Sequence, residues 1–75
     1  MNVSINDLKA IASRGGGMVL DAAKISAEDL KVIVLRASGT KAQIFLKNAN
    51  VISPDDLKAI ASRAEGCVVF DFYDV

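Results

Sequence analysis

The sequence predicts an α/β fold: a short array of three helix–strand units, forming a three-stranded parallel sheet with its helices on one face. Three observations carry this. The octapeptide Asp-Leu-Lys-Ala-Ile-Ala-Ser-Arg occurs twice in 75 residues, at Asp7–Arg14 and Asp56–Arg63. A diverged copy, Asp29-Leu-Lys-Val-Ile-Val-Leu-Arg36, lies between them. Each copy is followed by a glycine and then a β-prone run, with no hairpin signal between runs. Recurrence of one supersecondary unit marks an array. Strands separated by helices pair in parallel through right-handed crossovers, so the expected strand order is 1-2-3.

The units span about residues 3–24, 25–51 and 52–75, all within a single domain. Each opens on a β-branched residue and a serine: Val3-Ser4, Ile25-Ser26 and Ile52-Ser53. Three residues after each serine comes an aspartate, at Asp7, Asp29 and Asp56. This is a capping-box pattern with the shorter acid, in which the serine oxygen accepts an orphan amide of the first turn. Pro54 follows Ser53 at the first helical position, where a missing N–H costs nothing.

The helices then place apolar residues three and four apart: Leu8, Ile11 and Ala12; Leu30, Ile33, Val34 and Ala37; Leu57, Ile60, Ala61 and Ala64. That spacing puts each set on one face, which is expected to be core. Arg14, Arg36 and Arg63 complement the helix dipoles, and Gly17, Gly39 and Gly66 are expected to supply the left-handed stops. The strands are expected at Met18–Leu20, Ala42–Lys47 and Cys67–Phe72.

Alternation along the strands assigns their two faces. Met18, Leu20, Ala22, Ile44, Leu46, Val68, Phe70 and Phe72 are expected to point to the helices. The opposite face then carries an apolar row, Val19, Phe45 and Val69, and a row alternating in charge, Asp21, Lys47 and Asp71, with Gln43 and Cys67 beside them. Parallel sheets are normally covered on both faces, and nothing in the chain remains to cover this one. Val32 and Leu35, on the back of the second helix, add bulk where the other helices carry Ala10 and Ser13, or Ala59 and Ser62.

Composition points the same way. A chain of this length buries only about 60% of its unfolded surface, so 52% apolar content is difficult to hide in a monomer. Nine basic and nine acidic residues cancel, leaving no long-range attraction for nucleic acid or an anionic membrane. No stretch approaches the roughly 18 uninterrupted apolar residues of a membrane helix, no signal core opens the chain, and Cys67 is the single cysteine. Cytoplasmic location is the expectation.

Catalysis finds little support. The chain has no histidine, which removes the usual general base and most zinc or haem sites. Gly15-Gly16-Gly17 follows a helix and precedes a strand, the reverse of a phosphate-cradling loop. Asp21 and Asp71 flank Lys47 and fit a cross-strand ion row better than an acid–base pair. No catalytic residue, cofactor or metal is therefore expected.

Ile44-Phe45-Leu46-Lys47-Asn48, together with the unit length, resembles the strand and following asparagine of the leucine-rich-repeat family of α/β solenoids. The first and third units end instead in Asp21-Ala22-Ala23 and Asp71-Phe72-Tyr73, without an asparagine ladder. The resemblance implies a binding scaffold without catalysis, working through its strand face. The expected function is a non-catalytic protein–protein interaction module, binding a second copy of itself or a larger protein. Its expected contact residues are Val19, Phe45, Lys47, Val69 and Asp71 on the sheet, with Val32 and Leu35 on the second helix. The alternative is a small anion- or nucleotide-binding protein using Arg14, Arg36, Lys41 and Arg63, which gather at the helix C-termini.

Overall fold

A computed structural model describes residues 3–73; residues 74 and 75, the end of the third segment, lie outside the described residues. The chain alternates α1 (Ile5–Ser13), β1 (Met18–Asp21), α2 (Ala27–Thr40), β2 (Ile44–Lys47), α3 (Pro54–Ala64) and β3 (Val68–Phe70). Short 3-10 turns at Ala22–Lys24 and Ala49–Val51 lead from β1 and β2 into the next helix. The strands form one parallel sheet in the order β1-β2-β3.

Serine side chains start all three helices as expected. Ser4, Ser26 and Ser53 accept from the backbone N–H groups of Asp7, Asp29 and Asp56, at 3.2, 3.2 and 3.3 Å. Only α1 closes the reciprocal box, where the Ser4 N–H donates to the Asp7 carboxylate. The corresponding carboxylates of α2 and α3 instead meet lysines of the preceding helix, Lys9 to Asp29 and Lys31 to Asp56. Replacing any one of the three serines by alanine is expected to cost about 1 kcal/mol in a thermal or denaturant melt.

The helix stops differ from expectation at two glycines. Gly39 lies inside α2, and the left-handed residue that ends this helix is Lys41 (φ 61°). Gly17 has no positive φ; Gly15 (φ 88°) takes that conformation after α1. Gly66 (φ 90°) is left-handed as expected, with Glu65 (φ 50°) joining it in the turn after α3. α2 thus runs one turn longer than the octapeptide alignment suggests: the Ser38 hydroxyl donates to the Leu35 carbonyl at 2.7 Å, and the Thr40 hydroxyl ties the added turn to α1 by donating to the Ala12 carbonyl at 2.7 Å.

One core joins the helices to one face of the sheet. Leu30, Ile33, Val34, Ile44, Leu46 and Ile60 are its largest fully buried side chains. The shortest dimension of the molecule is 19 Å, room for one helix layer of about 10–12 Å and one sheet, with no third layer. β2, the central strand, alternates buried Ile44 and Leu46 with exposed Phe45 and Lys47. The expected strand phase therefore holds for β1 and β2.

Four expected core or face assignments do not hold. Ile11 and Ala61 are exposed, because each lies on the outward side of a terminal helix. Phe72 is 54% exposed, since β3 ends at Phe70 and the ring merely leans on Phe70 with centroids 5.9 Å apart. Cys67 is not on the open face. It precedes β3, lies buried as a free thiol, and donates its N–H to the Ala64 carbonyl at the end of α3.

Candidate interaction surface

The second face of the sheet is built from the odd positions of the strands. In register, Val19 stands beside Phe45 and Phe45 beside Val69. These side chains are 66%, 46% and 42% exposed, so the apolar row lies open to solvent. Gly17 permits the close start of this sheet: its backbone lies so near Gln43 that an added Cβ would sit 3.0 Å from the Gln43 oxygen. Met18 N–H donates to that same carbonyl at 3.0 Å.

The charged row forms in register but not as ion pairs. Asp21 aligns with Lys47, and Asp71 continues the β2–β3 ladder by donating its N–H to the Leu46 carbonyl. Yet Lys47 makes no ion pair among the described residues. The two aspartates turn to the backbone instead. Asp21 Oδ1 accepts from the Ala23 N–H at 2.9 Å, and Asp71 Oδ1 accepts from the Tyr73 N–H at 2.9 Å. Each closes an Asx turn that bends the chain out of its strand. The central position differs: Asn48, left-handed at φ 58°, sends its Nδ2 across to Asp21 Oδ1 at 2.9 Å. Asp21, Lys47, Asn48, Asp71 and Tyr73 together line a shallow depression at the strand ends.

Asp21 is held below the usual carboxylate range, first by the Asn48 amide and then by the Ala23 N–H. A depressed carboxylate favours the folded state above its unfolded pKa, and the contribution disappears as pH falls through the folded value. Asn48→Gly keeps the left-handed backbone and deletes the amide. The Asp21 carboxyl is then expected to titrate closer to the usual range by NMR, and acid unfolding should depend less on this group.

Lys31 forms a second electrostatic centre, between α2 and α3. Its side chain is 14% exposed, and its ammonium meets Glu28 at 3.0 Å and Asp56 at 3.1 Å. These carboxylates raise the Lys31 pKa, Glu28 foremost, and Lys31 in turn lowers that of Asp56. The pairing is complete between the two titrations: acid removes it through Asp56, and alkali removes it through Lys31.

On the outer side of α2, Leu35 is 50% exposed, whereas Val32 is half-buried between the flanking helices. The two are therefore not an equal pair. Leu35 alone is a protruding apolar side chain, remote in the fold from the open sheet face. At the helix C-termini, Ser13 of α1 accepts at 3.3 Å from Arg36, which lies a turn before the end of α2 and not in its last turn as expected. Arg14, Lys41 and Arg63 are exposed there, beside carbonyl ends whose partial negative charge they complement.

Among the described residues, no group of three His, Cys, Asp or Glu side chains is placed to hold a metal ion, and no helix is long and apolar enough to cross a membrane. No family model matches the chain, and neither a curated protein nor a solved structure matches it.

Proposed function

We propose that this chain is a non-catalytic interaction module, a short helix–strand solenoid that associates through the open face of its sheet. The observation that carries this reading is the exposed row Val19, Phe45 and Val69 on a parallel sheet whose other face packs on the helices through Leu20, Ile44 and Leu46. Parallel sheets bury both faces almost without exception, so the missing layer is expected from another polypeptide. A second copy fits this need: two such faces packed about a two-fold axis would bury both phenylalanines and leave no apolar row in water. A larger protein offering an apolar face is the other partner within this reading. The resemblance of Ile44–Asn48 to a leucine-rich-repeat strand, which implies binding on the strand face, is in keeping with this reading, and the proposed setting is the cytoplasm.

The basic helix ends favour anion binding less, because the same residues are accounted for by the helix dipoles and by the Ser13 contact. Sedimentation and native mass measurement across a concentration series test the proposal. Reversible association that phosphate does not perturb and Phe45→Asp weakens is the expected result. A monomer at all concentrations, with amide shifts induced only by inorganic phosphate or a nucleotide, would transfer the function to the helix ends.

A further inference from the structure

The two identical octapeptides are buried on opposite sides. In α1, Ala12 is fully buried and Ile11 is 37% exposed; in α3, Ile60 is fully buried and Ala61 is exposed. The sequence is the same, so the difference is the neighbour. α1 is covered by α2 on the side of Lys9, Ala12 and Ser13. α3 is covered by α2 on the side of Asp56, Ile60 and Ala64. In α2 both sides are covered, and Ile33 and Val34 are fully buried. Each copy of the octapeptide thus holds two docking faces, and each terminal helix uses only one.

The polar contacts between successive helices follow the same rule. Lys9 of α1 meets Asp29 of α2 at 3.5 Å, and Lys31 of α2 meets Asp56 of α3 at 3.1 Å. Each pair joins the lysine of one Asp-Leu-Lys to the aspartate of the next. Arg36 of α2 likewise reaches back to Ser13 of α1. The unused halves of these pairs stand at the two ends of the array. Lys58 and Ser62 are exposed on the outer side of α3, and Asp7 and Arg14 on the outer side of α1.

We infer that copies of this chain stack head to tail, the α3–β3 end of one against the α1–β1 end of the next. This goes beyond association through the open sheet face and uses a different surface. The junction joins two docking faces already used within the chain. Lys58 takes Asp7 of the next copy as Lys9 takes Asp29, and Ser62 takes Arg14 as Ser13 takes Arg36. Ala61 is covered as Ala12 is. Val3, 38% exposed, gains the cover that its counterparts Ile25 (7%) and Ile52 (8%) have within the chain. β3 and β1, each with one unpaired edge, continue the parallel sheet. The contact is heterologous, so it builds a ring or a filament and not a two-fold dimer.

Ala61→Arg blocks one end and Ile11→Arg the other, each at a position that is exposed in the isolated chain. Every junction needs one end of each kind, so with the sheet face blocked by Phe45→Asp each variant is expected to be monomeric by sedimentation, while Phe45→Asp alone forms species beyond the dimer. Mixed, they should give a one-to-one dimer that grows no further, since only one compatible pair of ends remains. If Ile11→Arg fails to fold, because Ile11 leans on Gly16, Val3→Arg blocks the same end. The inference is overturned if Phe45→Asp alone is monomeric, if both end variants in that background associate as it does, or if their mixture stays monomeric. Phe45→Asp separates the two surfaces: it leaves head-to-tail association unchanged and removes only association through the sheet face.

Discussion

Ile60→Ala is expected to destabilise the chain by about 2–5 kcal/mol, and Ile11→Ala by about 1 kcal/mol or less, although the two isoleucines occupy the same place in the same octapeptide. Ile60 has no solvent exposure and packs in the core that joins the helices to the sheet. Removing its three outer carbons forfeits both transfer free energy and the contacts of a cavity that the surrounding side chains cannot fully close. Ile11 is 37% exposed, with its Cγ2 close to Gly16, so its truncation opens a surface groove that water fills. In a domain this small, each kcal/mol moves the melting temperature by roughly 4–8 °C. The two single variants should therefore separate clearly in a thermal melt. Equal losses would mean that the two ends of the array are equally covered in solution.

That pair also marks how far the sequence could be read. Periodicity identifies the residues that one helix presents on one face, and it found Leu8, Leu30, Ile33, Ile44 and Leu46 because their neighbours lie within the unit. It cannot distinguish Ile11 from Ile60, or Ala12 from Ala61, since identical strings give identical periodicity and only the array's termination decides their cover. The glycine pattern failed for a related reason. Gly39 stands at the aligned stop, but helix propagation needs only one more favourable turn, and there the Ser38 hydroxyl satisfies the Leu35 carbonyl while the Thr40 hydroxyl reaches the Ala12 carbonyl of α1. The strand row Val19, Phe45 and Val69 was legible from period-two alternation because strand register followed the same count in every unit. The polar row was legible in position but not in bonding. An aspartate at a strand end can serve a neighbouring lysine or the backbone two residues on, and the local Asx bond needs no long side chain to be ordered. The lysine-to-aspartate links between successive helices went unread. Their signal was present, since Asp-Leu-Lys recurs in all three units, but it becomes a link only when adjacent helices are known to lie side by side.

Phe45→Asp is expected to abolish association through the sheet face while leaving a folded chain whose ends still stack. Phe45 lies at the centre of β2, with Val19 and Val69 as its row neighbours, and is 46% exposed among the described residues. An aromatic at the middle of an apolar patch is the kind of side chain that dominates the free energy of an interface. An aspartate in its place meets water in the monomer, where its main cost is lower β propensity, on the order of 1 kcal/mol. In an assembled face the same carboxylate would be desolvated without a partner, at several kcal/mol. The nearest cation in register with this face, Lys47, follows two residues along the strand on the same side. It could offset part of that cost only by remaining hydrated, which the assembled face would prevent. With the stacking contact blocked by Ala61→Arg, sedimentation should therefore show loss of the dimer on adding Phe45→Asp, and circular dichroism an unchanged helix and strand signal with a melting temperature lowered by no more than about 10 °C. If the variant instead unfolds when dilute and monomeric, Phe45 is contributing to the core of the isolated chain, and the open face cannot be the surface through which it binds.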